Sequence, residues 1–333
     1  MRAIVLTSID PLCLQEQNVP APTPGPGQVV VSLRAAALNH RDLWITKGQY
    51  SGIRLPVVLG SDGAGVVTAL GEGVSSAWLG SEVIIYPSLE WGPDPEVPGP
   101  AHRILGMPDD GTLAEQVVVP EANLVRKPAH LSWEEAAALP LAGLTAYRAL
   151  RRGRLRPGET VLVPGIGGGV STMVMLLARH LGARVLVTSG SADKLRRAAA
   201  LGAEVGVCHT EPDWDAQLLA RAGRPPDLVV DGAGGDTFAR ALALVRPGGR
   251  VVTYGATLGP ARVEVRRIFW KQLDVLGTTM GTPAEFRQMV ALVEAGGLRP
   301  VVDTTLPLAE TASALQRLDR GEQMGKVVLR ISS

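Results

Sequence analysis

Residues 160–194 read TVLVPGIGGGVSTMVMLLARHLGARVLVTSGSADK. The stretch opens on β-favouring residues closed by Pro164 and turns through Gly165, Gly167, Gly168 and Gly169. Apolar residues at helical spacing follow, and then a second β-rich run, RVLVTS. Strand, glycine turn, helix and strand make one crossover unit of a parallel sheet. The first-turn N–H groups of such a helix lack carbonyl partners inside it, and glycines let an anion approach them closely. A glycine run alone marks a tight turn. Set between a strand and a helix, it predicts a dinucleotide site at Gly165, Gly167, Gly168, Gly169 and Val170. Ser171 stands where the fingerprint carries its last glycine, a small residue where helix and strand pack closely.

The end of the second strand chooses the nucleotide. An acid there holds the ribose 2′-hydroxyl of NAD and repels a 2′-phosphate. This chain has Ser189 and Ser191 instead, with Lys194 and Arg197 just beyond. Hydroxyls donate to a phosphate and cations attract it, so charge favours NADP over NAD. His209, after the next β-rich run, is a further candidate for that phosphate. The alternative is that these are surface residues of an ordinary helix.

Outward from this unit the alternation continues. Strands are expected at 160–164, 184–188, 205–208, 227–231, 250–254 and 272–277, with helical patterns between them. This is an α/β Rossmann-type fold, a doubly wound parallel sheet covered on both faces. The first part of the chain differs. RAIVL, QVVVSLRAAA, GAGVVTAL, EVIIYP and AEQVVVP are short β-rich runs separated by Gly and Pro. Residues 87–113 are Pro-rich and read as a long surface loop with no element of its own. Ser132 and Glu135 form a capping box at a helix start, as do Thr282 and Glu285 around Pro283. Two short strands, near VVDTTL and GKVVLRI, are expected to return to the first domain. The domains are therefore 1–128 with 279–333, β-rich, and 129–278, dinucleotide-binding.

Composition sets the class. The chain has 333 residues, 46% hydrophobic and 20% charged, enough for two domains with real cores. A net charge of +1 gives no pull toward nucleic acid or an anionic membrane, so small molecules are the expected partners. The N-terminus has no signal-peptide pattern, and no apolar run approaches a membrane span. Cys13 and Cys208 are the two cysteines, which suits a reducing cytoplasm and excludes a four-cysteine zinc site.

The whole chain resembles the medium-chain dehydrogenase/reductase superfamily. The likeness rests on AAALNHRDLWITKGQY, VVLGSDGAGVVTALGEGV, GTLAEQVVVP, LPLAGLTAYRAL, VLVPGIGGGVS, VVDGAGG, VRPGGRVVTYGA and MGKVVLRI. It implies a GroES-like substrate domain beside the Rossmann domain. Zinc-containing members hold a catalytic metal with three protein ligands, and the matching positions here are Asn39, Ser61 and Leu141. Leu cannot ligate and Ser is a poor zinc ligand. The lobe matching 87–113 also lacks the four cysteines of the family's structural zinc. The resemblance therefore points to the zinc-free branch, that of quinone oxidoreductases and enoyl reductases, and to no metal.

Without a Lewis acid, the substrates that need least activation are quinones and alkenes conjugated to a carbonyl, so NADPH-dependent hydride transfer to one of these is expected; the alternatives are an NADP(H)-binding protein without strong catalysis and an alcohol dehydrogenase-like enzyme with a non-standard site. The resemblance then suggests roles. Asn39 lies near the nicotinamide as a donor, or else stabilises a turn. Tyr50 matches the active-site tyrosine of enoyl-thioester reductases, or packs at a domain edge. Arg41 polarises an oxygen or pairs with Asp42 or Asp62, and Asp62 shapes the pocket floor with it. Thr145 and Gly255 fall at cofactor-contact positions. Lys326 falls where relatives contact the pyrophosphate, or else faces solvent. Relatives that pair through the edge of the cofactor sheet make a homodimer the expected assembly, through the apolar 263–280 segment.

Overall fold

The computed structural model describes residues 1–331. These residues separate into two compact units, one of Met1–Leu141 with Gly281 onward and one of Ala142–Met280.

The first unit is built on a seven-stranded sheet. Gln28–Ala37 is its hub, pairing antiparallel with Asp62–Leu70, Gln116–Pro120 and Lys326–Arg330. Val302–Pro307 then lies parallel to Lys326–Arg330. The two late strands thus return to the first unit, as their sequence suggested. Gly65 is dictated by close approach, since a Cβ there would lie 2.2 Å from the Ser32 carbonyl oxygen. A separate three-stranded sheet joins Leu12–Asn18, Arg2–Ile9 and Val57–Val58.

Register places the site. Ala37 faces Asp62 on one neighbour and Val328 on the other. Continuing that register past Ala37 sets Asn39 opposite Lys326. Three residues far apart in sequence therefore meet at one end of three adjacent strands, because strand pairing fixes which positions face each other.

The helix Trp133–Ala138 also belongs here, with Ser132 and Glu135 forming the expected capping box. Its acids reach other parts of the unit, Glu134 to Arg330 and Glu135 to Arg299. The observed division after Leu141 thus falls later than the boundary expected at residue 129. The second capping box, Thr282 with Glu285, opens the helix Pro283–Ala295. The fully buried Phe286 of that helix packs against Tyr86, the rings tilted at 45° and 5.3 Å between centroids.

The 87–113 segment departs from the expected surface loop. Ser88–Leu89 pairs with Arg103–Ile104, and Trp91, Leu105 and Met107 are buried. The proline content hid these elements because each strand is only two residues long. Three helices were also not read from the sequence: His40–Thr46, Val265–Trp270 and Thr311–Asp319. The first two span under two turns, too short for periodicity to register.

The second unit is a six-stranded, all-parallel sheet in the order Val205–Cys208, Arg184–Ser189, Thr160–Val163, Leu228–Asp231, Arg250–Thr253 and Asp274–Gly277. The expected six strands are all present, with ends shifted by no more than two residues. The strand order reverses at Thr160–Val163, so the turn after that strand lies at the topological switch point where such sheets bind ligands. Among the described residues, no helix is long and apolar enough to cross a membrane.

Removing the Phe286 ring tests the first unit's core. Phe286→Ala should cost about 3–5 kcal/mol, read as a lowered urea midpoint, because the ring is fully enclosed.

Candidate functional site

The first unit gathers a buried polar cluster around Asp62. Both oxygens of this fully buried carboxylate are engaged. Oδ2 accepts from Asn39 Nδ2 at 2.9 Å and from Lys326 Nζ at 2.8 Å. Oδ1 accepts the backbone N–H of Leu141 at 2.8 Å. Lys326, only 4% exposed, also donates to Asn39 Oδ1 at 2.6 Å. Asn39, Asp62 and Lys326 thus close a ring of hydrogen bonds.

Arg41 makes a different set of bonds from the ion pair expected of it. Its Nη1 donates to Ser61 Oγ at 2.8 Å and to the Leu105 carbonyl at 2.9 Å, and its Nη2 to the Met107 carbonyl at 3.2 Å. Ser61 Oγ donates to the same Leu105 carbonyl at 2.8 Å. The expected pairing of Arg41 with Asp62 is corrected: Lys326 takes that carboxylate, from a strand that lies on the other side of Gln28–Ala37. No sequence signal linked residues 62 and 326, which are 264 positions apart. Tyr50 lies beside Arg41, its ring centroid 5.2 Å from the guanidinium carbon. It is partly buried against the core.

The helix start is held by Asp42, whose Oδ2 accepts the Asn39 N–H at 2.8 Å. Asp42 Oδ1 and Arg41 Nε are buried atoms with no partner among the described residues. Burial pushes the Asp42 carboxyl above the usual carboxylate range, against the pull of nearby Arg41, the Asn39 N–H and Lys326. Burial, with the Lys326 charge, lowers the His40 imidazole below its ordinary value.

A catalytic zinc does not fit these residues. At the positions matched to its ligands, Ser61 binds a guanidinium, Asn39 binds an ammonium and Leu141 offers no side-chain donor. Two buried cations stand where a dication would need anionic or neutral donors. No three His, Cys, Asp or Glu side chains converge as ligands among the described residues. In the 87–113 lobe, His102 Nε2 bonds Ser88 Oγ at 2.6 Å and its ring packs edge-on to Trp91.

The second unit carries the glycine turn. Gly165 has φ of 65° and Gly167 of 146°, both in the region that favours glycine. A Cβ on Gly167 would lie 2.9 Å from Lys194 Cδ and 3.0 Å from its Nζ, so the lysine side chain lies across the turn. The helix Gly169–His180 starts there, with Ser171 Oγ donating to the Gly168 carbonyl at 3.0 Å. Thr188 Oγ1 accepts the Gly165 N–H at 3.1 Å and lies 3.3 Å from His209 Nδ1. Ser189 Oγ accepts the Ser191 N–H at 3.1 Å, and Ser191 Oγ accepts the Lys194 N–H at 3.4 Å. Exposed His209 is lowered from its ordinary pKa by partial burial. Ser189, Ser191, Lys194 and His209 therefore lie around one strand end. Thr145 is buried on the helix Pro140–Arg152, and Gly255 follows the strand Arg250–Thr253. A residue not singled out from sequence, Asp231, takes the N–H groups of Ala233 and Gly234, while burial raises its carboxyl pKa. The glycine turn, its missing Cβ atoms and the cation above it fit a dinucleotide.

A GroES-like unit and a doubly wound unit with this turn define an oxidoreductase that uses a nicotinamide nucleotide. Residues 25–129 match the family described as alcohol dehydrogenase GroES-like domain, and residues 169–295 the family described as zinc-binding dehydrogenase. The chain is 38% identical to zinc-type alcohol dehydrogenase-like protein YogA of Leptosphaeria maculans, over 96% of this chain and 94% of that one. It is 31% identical to acryloyl-coenzyme A reductase of Metallosphaera sedula, over 94% and 95% of the two chains. A crystal structure of an NAD-dependent alcohol dehydrogenase superposes with a TM-score of 0.93 at 41% identity, covering all of both chains. The chain belongs to the medium-chain dehydrogenase/reductase superfamily.

Asp42→Asn keeps an acceptor for the Asn39 N–H and removes the titration. A carboxyl raised in the folded state contributes stability below its unfolded pKa, and that stability is lost as pH rises through the raised folded value. The variant should therefore gain melting temperature relative to wild type between pH 4 and pH 7, measured by calorimetry at both.

Proposed function

We propose that the protein is a zinc-independent, NADPH-dependent reductase of quinones or of alkenes conjugated to a carbonyl. The observation that carries this reading is the pair of buried cations, Arg41 and Lys326, bound to side chains at the positions matched to zinc ligands. Reduction of a substrate that already spreads negative charge over a conjugated oxygen requires less electrophilic help than alcohol oxidation. The name of the acryloyl-coenzyme A reductase relative is in keeping with an activated alkene.

When bound, the nicotinamide supplies the hydride. The chain's residues do the rest. Gly165, Gly167, Gly168, Gly169 and Val170 take the pyrophosphate, with Thr145 and Gly255 at further cofactor positions. Ser189, Ser191, Lys194 and His209 take the 2′-phosphate, because hydroxyl donors and cations replace the acid of NAD binders. Asn39 donates to the substrate oxygen that becomes negative, and the Tyr50 phenol supplies the proton. Arg41, bonded to Ser61 and to two backbone carbonyls, shapes the wall under Tyr50. Asp62 and Lys326 hold Asn39.

The alcohol dehydrogenase names of two relatives favour a second reading, alcohol oxidation with a metal. Metal analysis of purified protein separates the two. Less than about 0.1 zinc per chain together with steady NADPH oxidation by enones or quinones supports the reductase. Stoichiometric zinc, with turnover that chelation abolishes, overturns it.

A second copy of the chain is the proposed partner. Strand Asp274–Gly277 ends the six-stranded sheet, and Phe269, Trp270 and Val275 are exposed beside it, Trp270 by 73%. The free thiols Cys13 and Cys208 suit the reducing cytoplasm proposed for it. Light scattering should give twice the 35.0 kDa chain mass.

Cofactor choice is tested at the second strand. Ser189→Asp with Lys194→Ala should weaken NADP binding roughly tenfold or more and leave NAD binding near wild type, by fluorescence titration. Stronger stabilisation of the wild type by NAD than by NADP in a thermal-shift assay would overturn the NADP reading.

A further inference from the structure

The two ends of the Asn39 amide are held by opposite charges. Lys326 Nζ donates to Oδ1 at 2.6 Å, and Nδ2 donates to Asp62 Oδ2 at 2.9 Å. An ammonium can only donate and a carboxylate can only accept. A half-turn of the amide would set NH2 against ammonium and carbonyl against carboxylate. Asp62 cannot swing away, because Leu141 N–H holds its other oxygen. Lys326 is fixed in turn by its 2.8 Å bond to Asp62. The backbone of Asn39 is anchored separately, its N–H on Asp42 and its carbonyl on the Asp42 N–H. One amide orientation is therefore selected. In it, Nδ2 uses one N–H on Asp62 and has a second with no partner among the described residues.

We infer that the Lys326–Asp62 ion pair is an orientation lock that presents the second Nδ2–H of Asn39 to the substrate oxygen. Lys326 and Asp62 are then positioning residues, acting through Asn39. In this chain the ordering of the site, done by a metal in zinc relatives, falls to an ion pair. The inference rests on the reductase reading and makes Asn39 its oxyanion donor. The electrostatic logic is that a donor held in place before reaction does not need to be reoriented as charge develops.

The test uses the full-length protein with NADPH and an enone and quinone series. Lys326→Met alone strands a buried carboxylate and endangers folding. The informative variant is therefore Lys326→Met with Asp62→Asn, which removes both charges at similar volume, checked by circular dichroism and melting temperature. It should lower kcat about 10²-fold with the substrate KM within about threefold, and Asn39→Asp, which has no donor, should do the same. Lys326→Arg keeps a donor to both partners and should recover most of kcat. Unchanged kcat in the folded double variant overturns the inference. So does a loss confined to NADPH affinity, which would make Lys326 a cofactor contact.

A readout without turnover separates this inference from the reductase reading. The chain has three asparagines, Asn18, Asn39 and Asn123, so selective 15N labelling resolves each side-chain amide. The Asn39 pair should show two widely separated, slowly exchanging protons that collapse toward each other in the double variant. An Asn39 pair that is averaged in wild type, or unaltered in the variant, overturns the lock whatever the enzyme reduces. Wild type with slow Asn39 protons but no turnover across the panel sinks the reductase reading and leaves the lock standing.

Discussion

The Asp62 carboxylate is the point on which the first unit's polar core depends. Fully buried, it is compensated by an ammonium, an amide and a backbone N–H. A carboxylate carried this far from water is tolerable only when its lone pairs are filled and its charge is matched. The three strands that bring Asn39, Asp62 and Lys326 together must therefore keep their register. A slip of one residue in any of them would turn one partner to the opposite face and leave a charge unpaired.

The same arrangement sets which charges the cluster carries. Lys326 and Arg41 are both buried, and each is bound to a side chain at a position that metal-binding relatives use for coordination. Arg41 also ties the 87–113 segment to the centre through the carbonyls of Leu105 and Met107. In a lobe without cysteines, a planar guanidinium with several fixed donors does work for which Lys would be poorly shaped. Charge and cross-linking at these positions are thus supplied by Arg41 and Lys326.

The second unit obeys more local rules. Its glycine turn, its serines and Lys194 lie within 35 consecutive residues, and Lys194 packs over Gly167 inside that span. This is why the cofactor side of the molecule was legible early. The six strands were readable because buried parallel strands are continuous apolar runs, and both capping boxes because they are local hydrogen-bond patterns. Short elements escaped notice, such as the two-residue strands in the Pro-rich segment and the short helix at His40–Thr46. They are held by tertiary contacts and leave no period to detect.

The sequence by itself determined the superfamily, the two kinds of unit and the cofactor turn, since each is written in neighbouring residues. It also established that Leu141, Ser61 and Asn39 are poor company for zinc, which is a matter of donor chemistry alone. Only the tertiary structure decided the partners. Arg41 was expected on Asp62 and instead grips Ser61 and two carbonyls, while a lysine 264 residues from Asp62 takes its place. Lys326 meets the carboxylate because its strand and that of Asp62 both pair with Gln28–Ala37. That meeting is fixed by antiparallel register between remote strands, and no local pattern in the chain records it.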